Sequence, residues 1–315
     1  MLTVLTHSHD SFYNQAFEEF VFETFREDDV FLLWQNSPAV IVGSYQNICR
    51  EVHVEALRKL GIPIVRRMTG GGTVYHDLGN VNYSYITNQD GLVDYDHCLG
   101  PVIQALNDIG VPARKNRTCD IAIGDQKISG SAQRAAGGRL LHHGTLLFQS
   151  DLAVLDRITT HHKNDCFQSK GTVSAICPVT NIADHLTAPM TLEEFGTRLL
   201  DRMVPPGSPR LTLTPEQVAA VCRLRDEKYH SWEWTWGKTP AFTYEKSGTF
   251  AGVPIRVAYQ AKKGIVSGAE VDCAAVDGAE AVRLLSGSRL DPEGFDRICQ
   301  ALVGNRAEEL MDWLL

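Results

Sequence analysis

The first two-thirds of the chain alternates between stretches in which apolar residues recur every three to four positions and short stretches in which they run together. Residues 12–25 place phenylalanine and valine at close to helical spacing among glutamates, which predicts an amphipathic helix. Residues 30–34 and 39–42 are apolar runs separated by Gln-Asn-Ser-Pro, which predicts two strands and a turn. By the same criteria we expect further helices at 52–60, 95–109, 192–203 and 214–229, and further strands at 63–68, 73–77, 80–87, 121–123, 127–129 and 139–149.

The pattern changes after about residue 241, where short apolar runs follow one another closely. This tail predicts antiparallel strands and then short helices, which together make a small α+β unit. We therefore predict a mixed α/β chain with a larger domain at 1–240 and a small domain at 243–315. The strands of the tail are expected at 242–244, 249–251, 255–259 and 264–271, and its helices at 279–285, at 292–302 and near the C-terminus.

Composition narrows the class of protein without identifying it. With 43% hydrophobic and 22% charged residues the chain is an ordinary globular protein, and its formal net charge of -8 argues against a nucleic-acid binder. The eight cysteines form no C-x-x-C pair, so neither a zinc site nor a disulfide scaffold is expected. The N-terminus does not read as a signal peptide, and no apolar run approaches the ~18 residues of a membrane span. We expect a cytoplasmic protein that binds no membrane.

A run of three glycines, from Gly70 to Gly72, lies between two predicted strands. It opens no helix and fits neither G-x-G-x-x-G nor G-x-x-x-x-G-K-[ST], so neither a Rossmann nor a P-loop nucleotide site is predicted. Glycines still let backbone N–H groups approach an anion, and Arg66 and Arg67 can supply bidentate bonds to phosphate or carboxylate. For a bare glycine triplet the alternative is a surface turn flanked by charges.

Four stretches of the chain, in order, resemble the signature of the lipoate–protein ligase A family. That family reads Arg-Arg-x-[Ser/Thr]-Gly-Gly-Gly-x-Val-[Phe/Tyr]-His-Asp-x-Gly-Asn, and residues 66–80 fit it at each fixed position. Agreement continues in Lys-Ile-Ser-Gly-Ser-Ala-Gln-Arg at 127–134 with His-His-Gly-Thr-Leu-Leu at 142–147, in Val-Thr-Asn-Ile at 179–182 and in the tryptophan-rich stretch 231–240. The resemblance implies a catalytic domain of the biotin/lipoate-ligase type with a C-terminal accessory domain.

The same resemblance implies an enzyme that uses ATP and Mg²⁺ to convert lipoate to lipoyl-AMP and then transfers the lipoyl group to a lysine of an acceptor protein. Lys127 matches the family's central lysine, which contacts lipoate carboxylate and nucleotide phosphate and offsets the repulsion between them. Asp120 is the implied metal ligand, and a hydrogen-bonded structural role is the alternative for His76. The family's ATP-contacting positions match Arg67, Gly72, Thr73, Val74, Tyr75, Asn80, Asp120 and Lys127, and its lipoate-contacting positions match Arg67, Gly71, His76, Lys127 and His143.

The implied protein partners are acceptors that carry a lipoyl domain. These are the E2 subunits of 2-oxoacid dehydrogenases and the H protein of glycine cleavage. No nucleic acid partner is expected, and the ligase is expected to act as a monomer. The sequence does not rank lipoate against octanoate, because it does not say which side chains line the apolar slot for the acyl tail.

Two departures from the family's pattern favour an alternative within the same superfamily. The usual Arg-Asn-Asp before the lysine hairpin is Thr-Cys-Asp here, and the loop that ends at Val179 lacks the family's two arginines, for which Lys163 and Lys170 are partial substitutes. The alternative is a lipoyl or octanoyl transferase that uses no ATP, acting through Cys119 as nucleophile or on preformed lipoyl-AMP. A small half-buried thiol is the simpler interpretation of Cys119. A third hypothesis, a non-enzymatic acyl-adenylate sensor, is opposed by the retained Lys127.

Overall fold

The structure, a computed structural model, describes residues 1–159 and 166–315. Within these ranges no helix combines the length and apolarity needed to cross a lipid bilayer. The strands are β1 (Leu2–Val4), β2 (Val30–Trp34), β3 (Ala39–Val42), β4 (Ile64–Arg66), β5 (Val74–His76), β6 (Asn80–Asn88), β7 (Arg114–Asn116), β8 (Asp120–Ile123), β9 (Gln126–Ala136), β10 (Arg139–Leu147), β11 (Phe167–Ser169), β12 (Arg210–Leu211), β13 (Phe242–Phe250), β14 (Val253–Lys262) and β15 (Ile265–Cys273). The helices are α1 (Ser11–Thr24), α2 (Ile48–Glu51), α3 (Val54–Leu60), α4 (Tyr95–Asp108), α5 (Leu152–Ile158), α6 (Leu192–Met203), α7 (Pro215–Leu224), α8 (Trp232–Thr235), α9 (Gly278–Leu285), α10 (Pro292–Val303) and α11 (Ala307–Leu314).

The mixed α/β class predicted from the sequence is confirmed, and its centre is a sheet of eight strands in the order β12-β1-β2-β6-β10-β9-β8-β7. Strand β10 lies in the middle and is buried along its whole length. Its Leu141 packs in a core with α1, while Leu146 packs on the opposite face with α4 and α6. Successive side chains of a strand point to opposite faces, so β10 is covered on both sides, and its polar His142 and His143 are buried with hydrogen-bond partners.

A small sheet in the order β4-β3-β5 holds the glycine run. Strand β3 is central, parallel to β4 on one side and antiparallel to β5 on the other. Residues 67–73, which include the glycine run, connect β4 to β5. Helix α3 precedes β4 of this sheet. The helix ends at Gly61, whose φ of 64° favours glycine, as a glycine after the last apolar turn predicts. The two sheets thus bring the glycine run next to β10.

Several local boundaries differ from the sequence prediction, and the strand predicted at 127–129 extends over Gln126–Ala136. The helix predicted at 52–60 is divided, because Val52 is extended and separates α2 from α3. The helix predicted at 214–229 ends as α-helix at Leu224 and continues as a π-helical turn, Arg225–Tyr229. The strands predicted at 242–244 and 249–251 are one strand, β13, because it pairs with β14 without interruption from Phe242 to Phe250.

The tail forms a third sheet, in the order β11-β13-β14-β15, with α9, α10 and α11 packed against it. Strand β11 precedes the predicted domain boundary and nevertheless pairs with β13. The tail's core also contains Val40 and Val42 of β3, so apolar packing is continuous from the glycine-run sheet into the tail. That residues 243–315 form a separate accessory domain stays a prediction.

Candidate functional site

Two adjoining cavities meet at Lys127, on the hairpin between β8 and β9. The inner cavity has a volume of about 330 Å³ and extends from this hairpin past the glycine run to α1, β2 and β3. The outer cavity, about 210 Å³, lies against α2 and α5. Lys127, Thr73, Val74 and Thr145 line both cavities, as does segment 173–175. Molecules held in the two cavities would therefore meet beside the Lys127 ammonium.

The Lys127 side chain is partly buried and paired. Its Nζ lies 2.8 Å from Asp120 Oδ1, and 23% of the side chain is exposed. Its backbone N–H donates to the carbonyl of Pro178 at 2.8 Å, and its own carbonyl accepts from the N–H of Thr180 at 3.1 Å. A Cβ at position 130 would lie 2.7 Å from Nζ, so Gly130 leaves the room that the ammonium occupies. The hairpin thus presents a held cation to both cavities.

The buried guanidinium of Arg67 holds the glycine run in place through hydrogen bonds to its carbonyls. Arg67 is 5% exposed, and its guanidinium donates to the carbonyls of Ile41 at 3.1 Å and Gly72 at 2.7 Å. Gly71 has φ 86°, a conformation that favours glycine, and a Cβ at position 43 would lie 2.2 Å from the Gly71 carbonyl oxygen. Burial lowers the pKa of Arg67 to about 10, so it remains charged at neutral pH. Its positive charge lies at the cavity wall while its N–H groups hold the loop.

A chain of hydrogen bonds fixes the protonation of His76, which lines the inner cavity. Asn14 Nδ2 donates to the carbonyls of Ser8 and Gln35 and lies 2.9 Å from Asn36 Oδ1. Asn36 therefore presents its Nδ2 to His76 Nδ1, at 3.0 Å. Burial lowers the pKa of His76 to about 3, so the ring is neutral, and since Nδ1 accepts a hydrogen bond, Nε2 carries the hydrogen.

A second buried network holds His143 in the wall of the inner cavity. His143 Nδ1 lies 2.9 Å from Glu18 Oε1, and its Nε2 lies 2.7 Å from Thr69 Oγ1. Glu18, which is fully buried, also accepts from Ser84 Oγ at 2.6 Å, and Trp34 Nε1 donates to the same Ser84 hydroxyl at 3.1 Å. The Glu18 carboxylate orients His143 between the glycine run and the sheet.

Hydrogen bonds of Ser174 hold segment 173–175, which lines both cavities, in place. The backbone N–H and the hydroxyl of Ser174 both donate to Glu51 Oε2, the former at 3.1 Å. The Ser174 hydroxyl also accepts from Gln46 Nε2 at 3.0 Å and from the Thr73 N–H at 2.9 Å. Burial raises the pKa of Glu51. Ser174 belongs to the loop that lacks the family's two arginines. Hydrogen bonds therefore attach this loop to Thr73, which follows the glycine run, and to the carboxyl group of Glu51 in α2.

Most of the site residues proposed from the sequence lie together at the cavities. Asn80 is an exception: it lines neither cavity, and its Nδ2 donates to Asn82 Oδ1 at 2.9 Å. Lys170 is exposed and also lines neither, and Lys163 lies outside the described residues. The inner cavity is lined by Arg67, Gly71, Gly72, Thr73, Val74, His76, Asp120, Lys127 and His143, and the outer one by Thr73, Val74, Tyr75 and Lys127.

The residues of the site that were not foreseen include Gln15, Glu18, Glu51, Asn82 and Ser174. A usable signal existed for two of them, because Gln15 and Glu18 fall among the apolar positions of the predicted helix at 12–25. A polar side chain buried in that way needs an internal partner. Asn82 lies on the polar side of a strand in which polar and apolar residues alternate, a side that the pattern would place in solvent. Nothing in the sequence around Glu51 and Ser174 links these two residues.

Cys119, the proposed nucleophile of the alternative, lies at the inner cavity beside Asp120. Its Sγ is 3.7 Å from Asp120 Oδ1. Burial and the neighbouring carboxylate raise the pKa of the thiol, although Lys127 acts in the opposite direction. A nucleophilic cysteine needs a lowered pKa to populate its thiolate at neutral pH. The surroundings of Cys119 therefore favour an inert thiol.

The buried neutral histidines predict that the protein loses stability in mild acid. Burial lowers the pKa of both His76 and His142 to about 3, whereas an unfolded histidine titrates near 6.5. Below about pH 6.5 the unfolded chain binds protons that the folded chain does not. As the pH is lowered below about 6.5, the free energy of unfolding should therefore decrease by about 1.4 kcal/mol per pH unit for each histidine.

Urea denaturation between pH 7 and pH 5 measures this dependence. The variant His142→Phe should reduce the slope by one histidine's contribution, because it removes one of the two titrating groups. An unchanged slope in that variant would contradict the assignment.

Comparison with known proteins places the chain among lipoate ligases. Residues 10–204 match the family model described as lipoyl protein ligase A/B catalytic domain. Lipoate-protein ligase LplJ of Bacillus subtilis is 35% identical over 267 residues, which cover 82% of this chain and 80% of that protein. A crystal structure of lipoate-protein ligase A bound with ATP aligns with a TM-score of 0.64 at 25% identity, over 74% of this chain and 97% of the other. The bipartite lipoate protein ligase of Thermoplasma acidophilum, studied with its E2 lipoyl domain, has the same fold, with a TM-score of 0.64 at 24% identity over 74% and 94% of the two chains.

Proposed function

Because this chain belongs to the lipoyl protein ligase A/B family and is a lipoate–protein ligase, we propose that its inner cavity holds lipoate, its outer cavity holds ATP, and Lys127 lies between the reacting groups. In the first step a lipoate carboxylate oxygen bonds to the α-phosphorus of ATP, and pyrophosphate leaves. In the second, an acceptor lysine amine bonds to the acyl carbon of lipoyl-AMP, and AMP leaves. The observation that carries the proposal is the single ammonium lining both cavities.

The walls of the two cavities support this division. The inner cavity carries Trp34, Ile41 and Val74, an apolar surface that suits an acyl chain. The outer cavity carries Arg50, a cation that suits a phosphate group, together with the apolar Leu155 and Ile176, which suit the face of a nucleotide base. Lipoate would enter with its ring first, which leaves its carboxylate at the junction of the cavities.

Lys127 has a physical task in both steps. Two anions must approach before the carboxylate can attack the α-phosphate, and a fixed ammonium reduces their repulsion and stabilises charge that develops on the phosphoryl oxygens. Its pairing with Asp120 at 2.8 Å positions it before the substrates arrive, so little reorganisation is needed. In the second step the same ammonium polarises the acyl carbonyl. No residue of the chain needs to form a covalent intermediate.

Magnesium would enter with ATP. In the described parts of the chain no group of three or more acidic, histidine or cysteine side chains could hold a metal ion. Mg²⁺ commonly takes one or two carboxylates and completes its shell with phosphate oxygens and water. Asp120 fits the part of a single carboxylate ligand beside Lys127, and the ion would neutralise charge on the leaving pyrophosphate.

The acceptor is proposed to be a lipoyl-domain protein. The likeness to a ligase studied with its E2 lipoyl domain supports this class of partner. We propose E2 subunits of 2-oxoacid dehydrogenases and the H protein of glycine cleavage as acceptors of a monomeric ligase. Their modified lysine would have to reach the junction at Lys127, where the acyl carbon of lipoyl-AMP would lie.

Exchange of labelled pyrophosphate into ATP tests the proposal, because it requires reversible adenylation but no acceptor protein. The exchange should depend on lipoate and should be absent without it. If there is no exchange at saturating lipoate while lipoyl-AMP still modifies an acceptor, the chain is a transferase of preformed adenylate. Without either reaction, the assignment of substrates to the two cavities fails as well.

A further inference from the structure

Three side chains that line the inner cavity carry buried polar atoms that have no hydrogen-bond partner among the described residues, which is unusual for an acyl slot. These atoms are Gln15 Oε1, His76 Nε2 and Asn82 Nδ2. The three residues are only 1%, 3% and 2% exposed, so bulk water does not satisfy them. They come from three different elements, α1, β5 and β6, and none of the three residues lines the outer cavity. Trp34 lies among them, with its ring 6.0 Å from that of His76.

At least two of these atoms present hydrogen-bond donors. The hydrogen-bond chain through Asn14 and Asn36 leaves the His76 hydrogen on Nε2, as described above. Asn82 Oδ1 accepts from Asn80 Nδ2 at 2.9 Å, so the Asn82 amide N–H groups are the part of the side chain that lacks a partner. Buried donors without an acceptor cost free energy, and a native cavity that keeps them is expected to supply an acceptor when its ligand binds.

Given the proposed placement of lipoate in the inner cavity, we infer that Asn82 and His76 are specificity-determining residues that donate hydrogen bonds to the sulfur atoms of the dithiolane ring. Divalent sulfur is a weak acceptor, whereas the carbon atoms of a saturated tail accept nothing. An all-carbon tail would fill the space and leave both donors unpaired. The cavity thus selects for the ring heteroatoms as well as for length and shape.

A carbocyclic analogue isolates this effect. Lipoate is a five-membered dithiolane on a pentanoate chain, and 5-cyclopentylpentanoate has the same ring size and chain without sulfur. We measure kcat/KM for acid-dependent pyrophosphate exchange with each acid. The wild-type protein should prefer lipoate by about tenfold, a ratio in the range that pocket contacts of this kind provide. The Asn82→Leu variant should reduce the ratio to about twofold or less, chiefly by gaining activity on the carbocyclic acid.

Two controls separate the outcomes. Ile41→Val alters the shape of the same cavity without changing its donors, and it should leave the ratio within about twofold of wild type. His76→Phe should shift the ratio in the same direction as Asn82→Leu. A wild-type ratio near one would overturn the inference and would mean that retained water satisfies the donors. This measurement does not depend on whether any variant folds. No exchange with either acid would instead count against the proposed function.

Discussion

Replacement of Lys127 by methionine should lower lipoate-dependent pyrophosphate exchange by about 10³-fold, while the fold is retained. The side chain is the cation that lines both cavities beside the proposed meeting point of carboxylate and α-phosphate. Methionine keeps much of the volume of lysine and removes the charge, so the loss reports electrostatic stabilisation. Transfer from preformed lipoyl-AMP should also fall, since the same ammonium would polarise the acyl carbonyl. Steady-state exchange and single-turnover transfer measure the two losses.

Two control variants make this result specific. Lys115→Met removes another lysine of the same sheet, one paired with Asp96 at the surface, and should leave exchange within about twofold of wild type. Cys119→Ala should also retain activity, because the raised pKa of its thiol opposes a nucleophilic role. Loss of transfer in Cys119→Ala, together with no lipoate-dependent exchange in the wild-type protein, would reverse our assignment and favour a cysteine transferase.

The second large effect concerns stability. Arg66→Met should lower the free energy of unfolding by about 3 kcal/mol or more, because it removes a fully buried cation that satisfies several carbonyls at once. Arg66 donates to the carbonyls of Gly43 at 2.8 Å, Gln46 at 3.0 Å and Thr235 at 2.8 Å. The carbonyls of Gln46 and Thr235 would lose this donor, and the Gly43 carbonyl would keep the Gln46 N–H at 3.2 Å.

Arg66 also connects distant parts of the chain. Its Nη2 reaches Thr239 Oγ1 at 3.2 Å, and its carbonyl accepts from Trp234 Nε1 at 2.7 Å. The tryptophan-rich stretch before the tail is therefore anchored to the glycine-run sheet through one arginine. Loss of the guanidinium should weaken cooperativity as well as stability, because the hydrogen bonds from β4 to Thr235 and Thr239 in the junction at 232–240 would be lost.

Urea denaturation followed by circular dichroism measures the loss. Arg66→Lys should recover only part of it, since an ammonium lacks the planar fork that reaches separate carbonyls. Arg202→Met removes an exposed arginine paired with Asp108 and should change stability far less. An equal effect in Arg66→Met and Arg202→Met would show that the buried hydrogen bonds at Arg66 contribute little.

Local features of the sequence predicted much of the fold and the location of the site. Helix α1 and strands β2 and β3 follow directly from the spacing of apolar residues, because that spacing reports which face of each element is buried. The run from Arg66 to Asn80 indicated the family, and its glycines lie where backbone must pass close to Arg67 and to the cavity. Lys127 and Asp120, both assigned to ATP from the sequence, lie 2.8 Å apart, because a short hairpin brings residues seven apart together.

The two arginines before the glycine run illustrate the limit of that reasoning. Both were proposed to reach bound anions. In the structure, however, Arg66 donates hydrogen bonds to carbonyls of other loops, and Arg67 donates to carbonyls of the glycine run and β3. A sequence gives the charge of a side chain but not its hydrogen-bond partners. Those partners exist only after distant segments have packed, and burial then decides that each guanidinium must be satisfied internally.

The sequence by itself determined the family and most of the elements, and it named Lys127 as a candidate, because these inferences depend on local spacing and on motifs contiguous in the chain. Tertiary structure alone decided which polar groups line the end of the inner cavity. Gln15, His76 and Asn82 lie on three different elements, and His143 meets a carboxylate 125 positions away. Periodicity assigns a side chain to a buried face but does not identify what lies opposite, since strand order and helix packing set that partner.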